Sequence, residues 1–233
     1  MVSLRSATAT PAGKPSLVEG AYDALKAAIQ SNAFAPGYHG SEQEIATQLG
    51  MSRTPVHEAL IRLQEEGLVR ILPRRGVLVC AISPDDMREI YEVIIALEAA
   101  SAELIAALPP ERRAPVAEAL EAVNARMEAA LAAADLVAWA EADGRFHQLL
   151  AEGSGNGRLA RMFHTIMDQS HRARMLTLRL RPLPSLSIQD HAGIVAAIRA
   201  GDAAAARDRT RAHRARARDQ LLPLLGQLGM RQL

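Results

Sequence analysis

The sequence predicts a mainly α protein, with one pair of short strands near the front and a bundle of helices behind it. Three observations carry that prediction. Ala, Leu and Arg are abundant while aromatic residues make up only 3%, a composition that favours helices. Apolar residues recur three and four apart through nearly all of residues 83–233, the spacing of buried helical stripes. Only LVRIL and VLVCAI, joined by Pro73-Arg74-Arg75-Gly76, read as strands.

The 233 residues can hold two modest domains. With 49% apolar and 23% charged residues the chain is globular rather than disordered. The net charge is +1, and residues 1–82 carry 8 Lys and Arg against 7 Asp and Glu, so charge argues neither for nor against nucleic acid. A single cysteine, Cys80, rules out an internal disulfide and fits a reducing compartment. No apolar run reaches transmembrane length, and residues 1–16 lack the apolar core of a signal peptide, so a cytoplasmic location is expected.

Residues 1–15, rich in Ser, Thr, Ala, Gly and Pro, are expected to form a mobile arm. Ser16 and Glu19 then read as a capping box opening a helix with Tyr22, Leu25 and Ile29 on one face. Pro36-Gly37 forces a turn. A second box, Ser41 with Glu44, opens a short helix carrying Ile45, Ala46 and Leu49, which stops at Gly50. The next stretch, SRTPVHEALIRLQEEG, has Ser52 as N-cap, Val56, Ala59, Leu60 and Leu63 as a buried stripe, and Gly67 as terminator. Ser52, Arg53, Thr54 and His57 stay exposed at its leading end. Helix, tight glycine turn, helix is the helix-turn-helix pattern, and the strands that follow form a two-stranded wing with a cationic tip. A helix with hydroxyls and a cation at its front suits the DNA major groove. Arg74 and Arg75 can reach phosphates or a narrow minor groove, where Gly76 lets the backbone come close.

Helices are expected near 84–107, 110–134, 135–153, 157–181, 185–200 and 202–222, an antiparallel bundle large enough to enclose a pocket. Asp143 and His147 stand four apart and project from one side of one helix. His191 lies with Ile188, Val195 and Ile198, and His213 with Ala206, Thr210, Ala217 and Leu221. One carboxylate and three imidazoles from three helices can hold Zn²⁺ or a similar divalent ion, with Ni²⁺ and Mn²⁺ as alternatives. Each alone is more often a buried histidine satisfied by a neighbour, or part of an ordinary Asp–His pair. His164, Asp168 and His171 form a rival group on another helix, expected to be exposed or at a pocket rim.

These residues resemble the GntR family of bacterial transcription factors, in its FadR-like subgroup, which joins a winged helix-turn-helix to an all-helical FCD effector domain. The front likeness runs through PGYHGSEQEIATQLGMSRTPVHEALIRLQEEGLV and RRGVLV. The rear one covers residues 91–98, DGRFHQLLAEGSGN (143–156) and the segment from His191 to His213. The resemblance implies a homodimer on a two-fold operator, with residues 16–82 binding DNA and 83–233 binding effector and partner. It makes Asp143, His147, His191 and His213 the metal ligands, one for one. It also makes Gln43, Ser52, Arg53, Thr54, His57, Arg62, Arg74, Arg75 and Gly76 candidates for DNA contact.

Three departures stand out. The family usually carries arginine at Gln43, at His57 and often at Ile94. Two lost cations predict weaker phosphate attraction and a flatter salt dependence. If the third arginine anchors an anionic ligand, this pocket must hold its ligand through the metal or another cation, with Arg161, Arg172 and Arg174 the candidates by position. The function expected is a metabolite-responsive regulator, more specifically a repressor, taking a small carboxylate. The rivals are a metal-dependent hydrolase, which lacks any sequence signature for a general base, and a metal-stabilised dimerisation module without effector.

Overall fold

The computed structural model describes residues 16–81 and 83–228. The arm expected over residues 1–15 lies outside the described residues, as does the end of the chain after 228.

The front half opens with α1 (Leu17–Gln30), then β1 (His39–Gly40), α2 (Glu42–Gln48) and α3 (Arg53–Glu65), followed by β2 (Val69–Leu72) and β3 (Gly76–Val79). Ser41 and Glu44 close the full reciprocal capping box at α2. At α1 only half of the expected box forms. Ser16 accepts from the Glu19 amide, while the Glu19 carboxylate pairs with Arg62 at 2.9 Å. Ser52 holds the N-cap position of α3, but its hydroxyl makes no capping bond. Leu25, Ile29, Ile45, Val56, Leu60, Leu63, Val69 and Val77 close into one core, each 2% exposed or less. Burying each of the leucines contributes about 2 kcal/mol.

The wing has one more strand than the sequence implied. β1 pairs antiparallel with β3, giving the order β1-β3-β2. Two residues carry too little pattern to read as a strand; β1 exists because β3 offers it a free edge. That pairing also explains Gly76. Its φ of +98° lies in the left-handed region, and a Cβ there would stand 2.5 Å from the Gly40 carbonyl oxygen. The glycine is demanded by the sheet itself.

Behind the wing come α4 (Pro84–Ala106), α5 (Pro110–Ala132), α6 (Leu136–Gly153), α7 (Gly157–Thr177), a 3-10 turn over Leu178–Leu180, α8 (Ser185–Ala200) and α9 (Ala203–Gln227). The protein is thus mainly α, a winged helix-turn-helix followed by a helical bundle. α4 runs through the bundle, packed along α9 and against α6, α7 and α8. α9 continues through Pro223, past the expected end near residue 222. Leu221 and Leu225, both 0% exposed, pack with Met87 and Tyr91 and hold the helix across the proline. Proline removes one helical hydrogen bond, and the apolar contact on each side offsets the loss.

Candidate functional site

Two groups of residues stand out, one on the winged helix-turn-helix and one in the helical bundle. At the front, Arg53 and His57 sit one turn apart on the exposed face of α3, with Thr54 exposed beside them. Glu42, at the start of α2, binds both: Arg53 Nε donates to Oε2 at 3.1 Å, and His57 Nδ1 lies 2.8 Å from Oε1. Burial alone would raise the Glu42 carboxyl, but His57 and Arg53 outweigh it and hold it below its ordinary value. Gln43 is exposed next to Glu42, and Arg74 and Arg75 are exposed at the wing tip. Arg62 does not join this face. Nine residues after Arg53, it lies on the opposite side of α3, stacked 3.9 Å over the Tyr22 ring and paired with Glu19.

In the bundle, the structure brings Asp143, His147, His191 and His213 together from α6, α8 and α9. The candidate ligand atoms of the three histidines all lie within 4.8 Å of one another. His191 Nε2 and His213 Nε2 are 3.1 Å apart. Asp143 Oδ1 is 3.6 Å from His147 Nε2 and 3.9 Å from His191 Nε2. Ligands held roughly 2.1 Å from one ion stand about 3–4 Å from each other, so this donor set fits a divalent metal. The surroundings fit as well. His213 Nδ1 faces Asp190 Oδ2 at 3.1 Å, and His147 Nδ1 lies 2.9 Å from Glu98 Oε2, which turns both Nε2 atoms inward. Among the described residues, neither nitrogen of His147 nor Nδ1 of His191 has an aligned hydrogen bond. Leaving buried imidazoles unsatisfied is costly, and a metal would answer part of that need. His191 also stacks on Phe146, ring centroids 3.9 Å apart.

The electrostatics keep His191 and His213 neutral and Asp143 and Glu98 ionised. Burial pushes His213 down to about 3, with His147 and Arg214 adding to the effect. Burial likewise takes His191 well below its usual range. Burial would raise Asp143 and Glu98, but their partners outweigh it. Arg174 and His147 hold Asp143 well below its ordinary value, and Arg214 with His147 takes Glu98 to about 2. Neutral imidazole and ionised carboxylate are the forms that bind metal.

A cavity of about 420 Å³ opens beside this cluster, walled by Asp143, His213, Arg174, Arg181, Tyr91 and Trp139 among others. Trp139 is 5% exposed, and its indole N–H has no partner among the described residues. Of the arginines proposed by position, only Arg174 reaches the cavity, where it pairs with Asp143. Arg161 is exposed outside it. Arg172 points the other way on α7 and donates to the Cys80 carbonyl at 3.0 Å, beneath the wing. Ile94 is 1% exposed and does not line the cavity. His164, Asp168 and His171 line the rim without forming a metal-holding group among the described residues.

The sequence reading missed Glu98, Arg214, Asp190 and Arg181. Glu98 carried a usable signal, a carboxylate on the stripe of Tyr91, Ile94 and Ala102. Arg214 forks onto it, with Nε donating to Oε2 at 2.7 Å and Nη2 to Oε1. Arg181 gave no signal: it follows a 3-10 turn, and its guanidinium donates to the Thr177 hydroxyl and the Arg174 carbonyl.

Residues 17–79 match the family described as bacterial regulatory proteins, gntR family, and residues 89–216 match the FCD domain. An HTH-type transcriptional regulator from the TAR-I ttuE-ttuC′ intergenic region of Agrobacterium vitis is 55% identical over 133 residues, covering 57% of this chain and 78% of that protein. The Escherichia coli HTH-type transcriptional repressor RspR is 30% identical over 184 residues, covering 78% of this chain and 79% of its own length. Among solved structures, E. coli McbR/YncC superposes with a TM-score of 0.72 at 21% identity, covering 92% of this chain and 99% of that one, a likeness of fold. A GntR transcriptional regulator of Rhodococcus sp. RHA1 superposes with a TM-score of 0.70 at 25% identity, covering 88% and 97%.

Proposed function

The chain belongs to the GntR family of DNA-binding transcriptional regulators, with an FCD domain behind its helix-turn-helix, and from that premise we propose that it is a dimeric, metabolite-responsive repressor. Residues 16–82 form the DNA-binding domain and 83–233 the effector-binding and dimerisation domain. The family and its relatives are regulators rather than enzymes, which sets the hydrolase reading aside. RspR, a relative named as a repressor, supports the sign of regulation.

The front of α3, with Ser52, Arg53, Thr54 and His57, enters the major groove, Gln43 reaches the same groove from α2, and Arg74, Arg75 and Gly76 place the wing on the backbone. Two copies related by a two-fold axis read an inverted repeat. Val93 and Leu104, each 41% exposed on one face of α4, support pairing.

In the bundle, Asp143, His147, His191 and His213 hold a divalent metal, with Zn²⁺ the first choice for three imidazoles and a carboxylate. When bound, that ion supplies a Lewis-acidic point for a small carboxylate. The residues around it do the rest. Arg174 and Arg181 present cationic groups to the acid, the Trp139 N–H donates to it, and Tyr91 and Leu178 exclude water from its apolar part. One observation carries the reading: the cavity shares Asp143 and His213 with the histidine cluster, so a ligand in it touches the metal ligands themselves. The ligand shifts DNA affinity only through unequal affinity for two arrangements of the reading heads.

The test is an operator titration. Duplexes selected from a random pool are titrated with protein as purified, after chelation, and after reloading with metal in the presence of small mono- and dicarboxylates. Metal-dependent release by one class of acid is expected. DNA affinity unmoved by every acid, with or without metal, overturns the effector reading.

A further inference from the structure

We infer that Glu42 is a positioning residue that fixes which nitrogen of His57 carries the proton, and thereby makes His57 select adenine or cytosine against guanine and thymine in the operator. This deepens the reading of α3 as the helix in the major groove and rests on it.

The Glu42 side chain is 13% exposed, wedged between the two exposed side chains it binds, Arg53 at 67% and His57 at 49%. An ionised carboxylate has acceptors only, and a neutral imidazole has one N–H and one bare nitrogen. With Nδ1 lying 2.8 Å from Glu42 Oε1, the proton must sit on Nδ1. The bare Nε2 is then the atom that the ring presents outward, and it can only accept. Such a hydrogen bond on one nitrogen setting the role of the other is how histidine tautomers are ordinarily fixed.

The major groove supplies the selectivity. Adenine shows an N6 amino donor there and cytosine an N4 amino donor, while guanine and thymine offer acceptors. An accepting Nε2 therefore pairs with adenine or cytosine and meets a lone pair at guanine or thymine. The same carboxylate occupies Arg53 Nε at 3.1 Å, which leaves the terminal guanidinium nitrogens of Arg53 for phosphate or base. One half-buried acid thus orients a cation and an acceptor on adjacent turns of one face. An arginine at position 57 carries only donors and would invert the preference.

The experiment is selection of duplexes from a random pool at pH 8 with full-length protein, followed by affinity measurements on single-base operator variants. His57→Ala first locates the position that this side chain reads. At that position the unsubstituted protein is expected to prefer adenine or cytosine over guanine and thymine by roughly tenfold. Glu42→Gln, whose amide can donate as well as accept, is expected to shrink that preference to about twofold. His57→Arg is expected to turn it towards guanine, and adding Glu42→Gln to His57→Arg should leave the guanine preference in place. Thermal unfolding of each variant keeps loss of fold separate from loss of selectivity. A guanine or thymine preference in the unsubstituted protein overturns the inference, and so does a preference that survives Glu42→Gln unchanged, while operator binding itself stands. If no duplex is enriched at all, the major-groove reading falls and takes this inference with it.

Discussion

Lys26 on α1 and Asp168 on α7 meet at 2.5 Å between Nζ and Oδ2, and this pair ties the winged helix-turn-helix to the helical bundle. Around it, Gln30 donates to the same carboxylate at 3.1 Å, Lys26 also reaches Glu66 at 3.1 Å, and Gln169 donates to the Glu66 carbonyl at 2.7 Å. Glu66 is the C-cap of α3. One end of α3 therefore touches α7, the helix that carries Arg174 into the cavity.

The side chains of Lys26 and Asp168 are 19% and 26% exposed, so their pair is worth less than a fully buried one. A double-mutant cycle of Lys26→Ala and Asp168→Ala, read by denaturant unfolding, is expected to give a coupling energy of about 1 kcal/mol. Additive single effects would show that the contact does not join the two halves.

Glu98→Ala leaves the Arg214 guanidinium, 2% exposed, buried without its carboxylate. A loss of about 3–5 kcal/mol is expected, and Arg214→Met in the same chain should recover much of it. The pH dependence follows from the same pair. Glu98 stands at about 2 in the folded protein, against roughly 4.3 in an unfolded chain. Its contribution is thus fully present above that unfolded value and fades as pH falls towards 2. Thermal scans of Glu98→Gln should lose that part of the acid sensitivity.

Metal content measured on purified protein should fall to near zero in His191→Ala and drop strongly in Asp143→Ala. Saturating metal at about 100 times its dissociation constant should stabilise the parent chain by about 2.7 kcal/mol. Equal metal content in parent and His191→Ala chains would remove the cluster from consideration.

Trp139 is the chain's single tryptophan and lines the cavity, so its fluorescence reports ligand entry. Carboxylates are expected to change the emission of the metal-loaded protein, with Arg174→Ala weakening the response about tenfold, the scale of one charge-assisted hydrogen bond. An emission change that ignores both metal and Arg174 would place the ligand elsewhere.

Gly76→Ala forces a Cβ against the Gly40 carbonyl and strains a positive φ. A cost of about 1–3 kcal/mol is expected, seen as a lower unfolding midpoint and weaker DNA binding together. An unchanged midpoint would mean that the β1–β3 pairing is dispensable.

Local pattern was enough for much of this molecule. The caps at Ser41 and Ser83, the stripe of Val56, Leu60 and Leu63, and the breaks at Pro109-Pro110 and Gly201 are signals written within a few residues. The structure follows them. Asp143, His147, His191 and His213 were equally legible, because each sits on an inward stripe and a stripe names its own face. A stripe does not name what stands opposite. Glu98 and Arg214 are separated by 116 residues, Lys26 and Asp168 belong to different domains, and Arg62 turns to Glu19 and Tyr22, away from the face of Arg53 and His57. Arg161 and Arg172 share a helix with Arg174, yet only Arg174 reaches the cavity, because helical rotation sends each to a different neighbour. Periodicity along a chain encodes which side of an element loses water. Which charge meets which is set by the packing of elements distant in sequence, and that arrangement, closing around the cavity and under α3, exists only once the chain has folded.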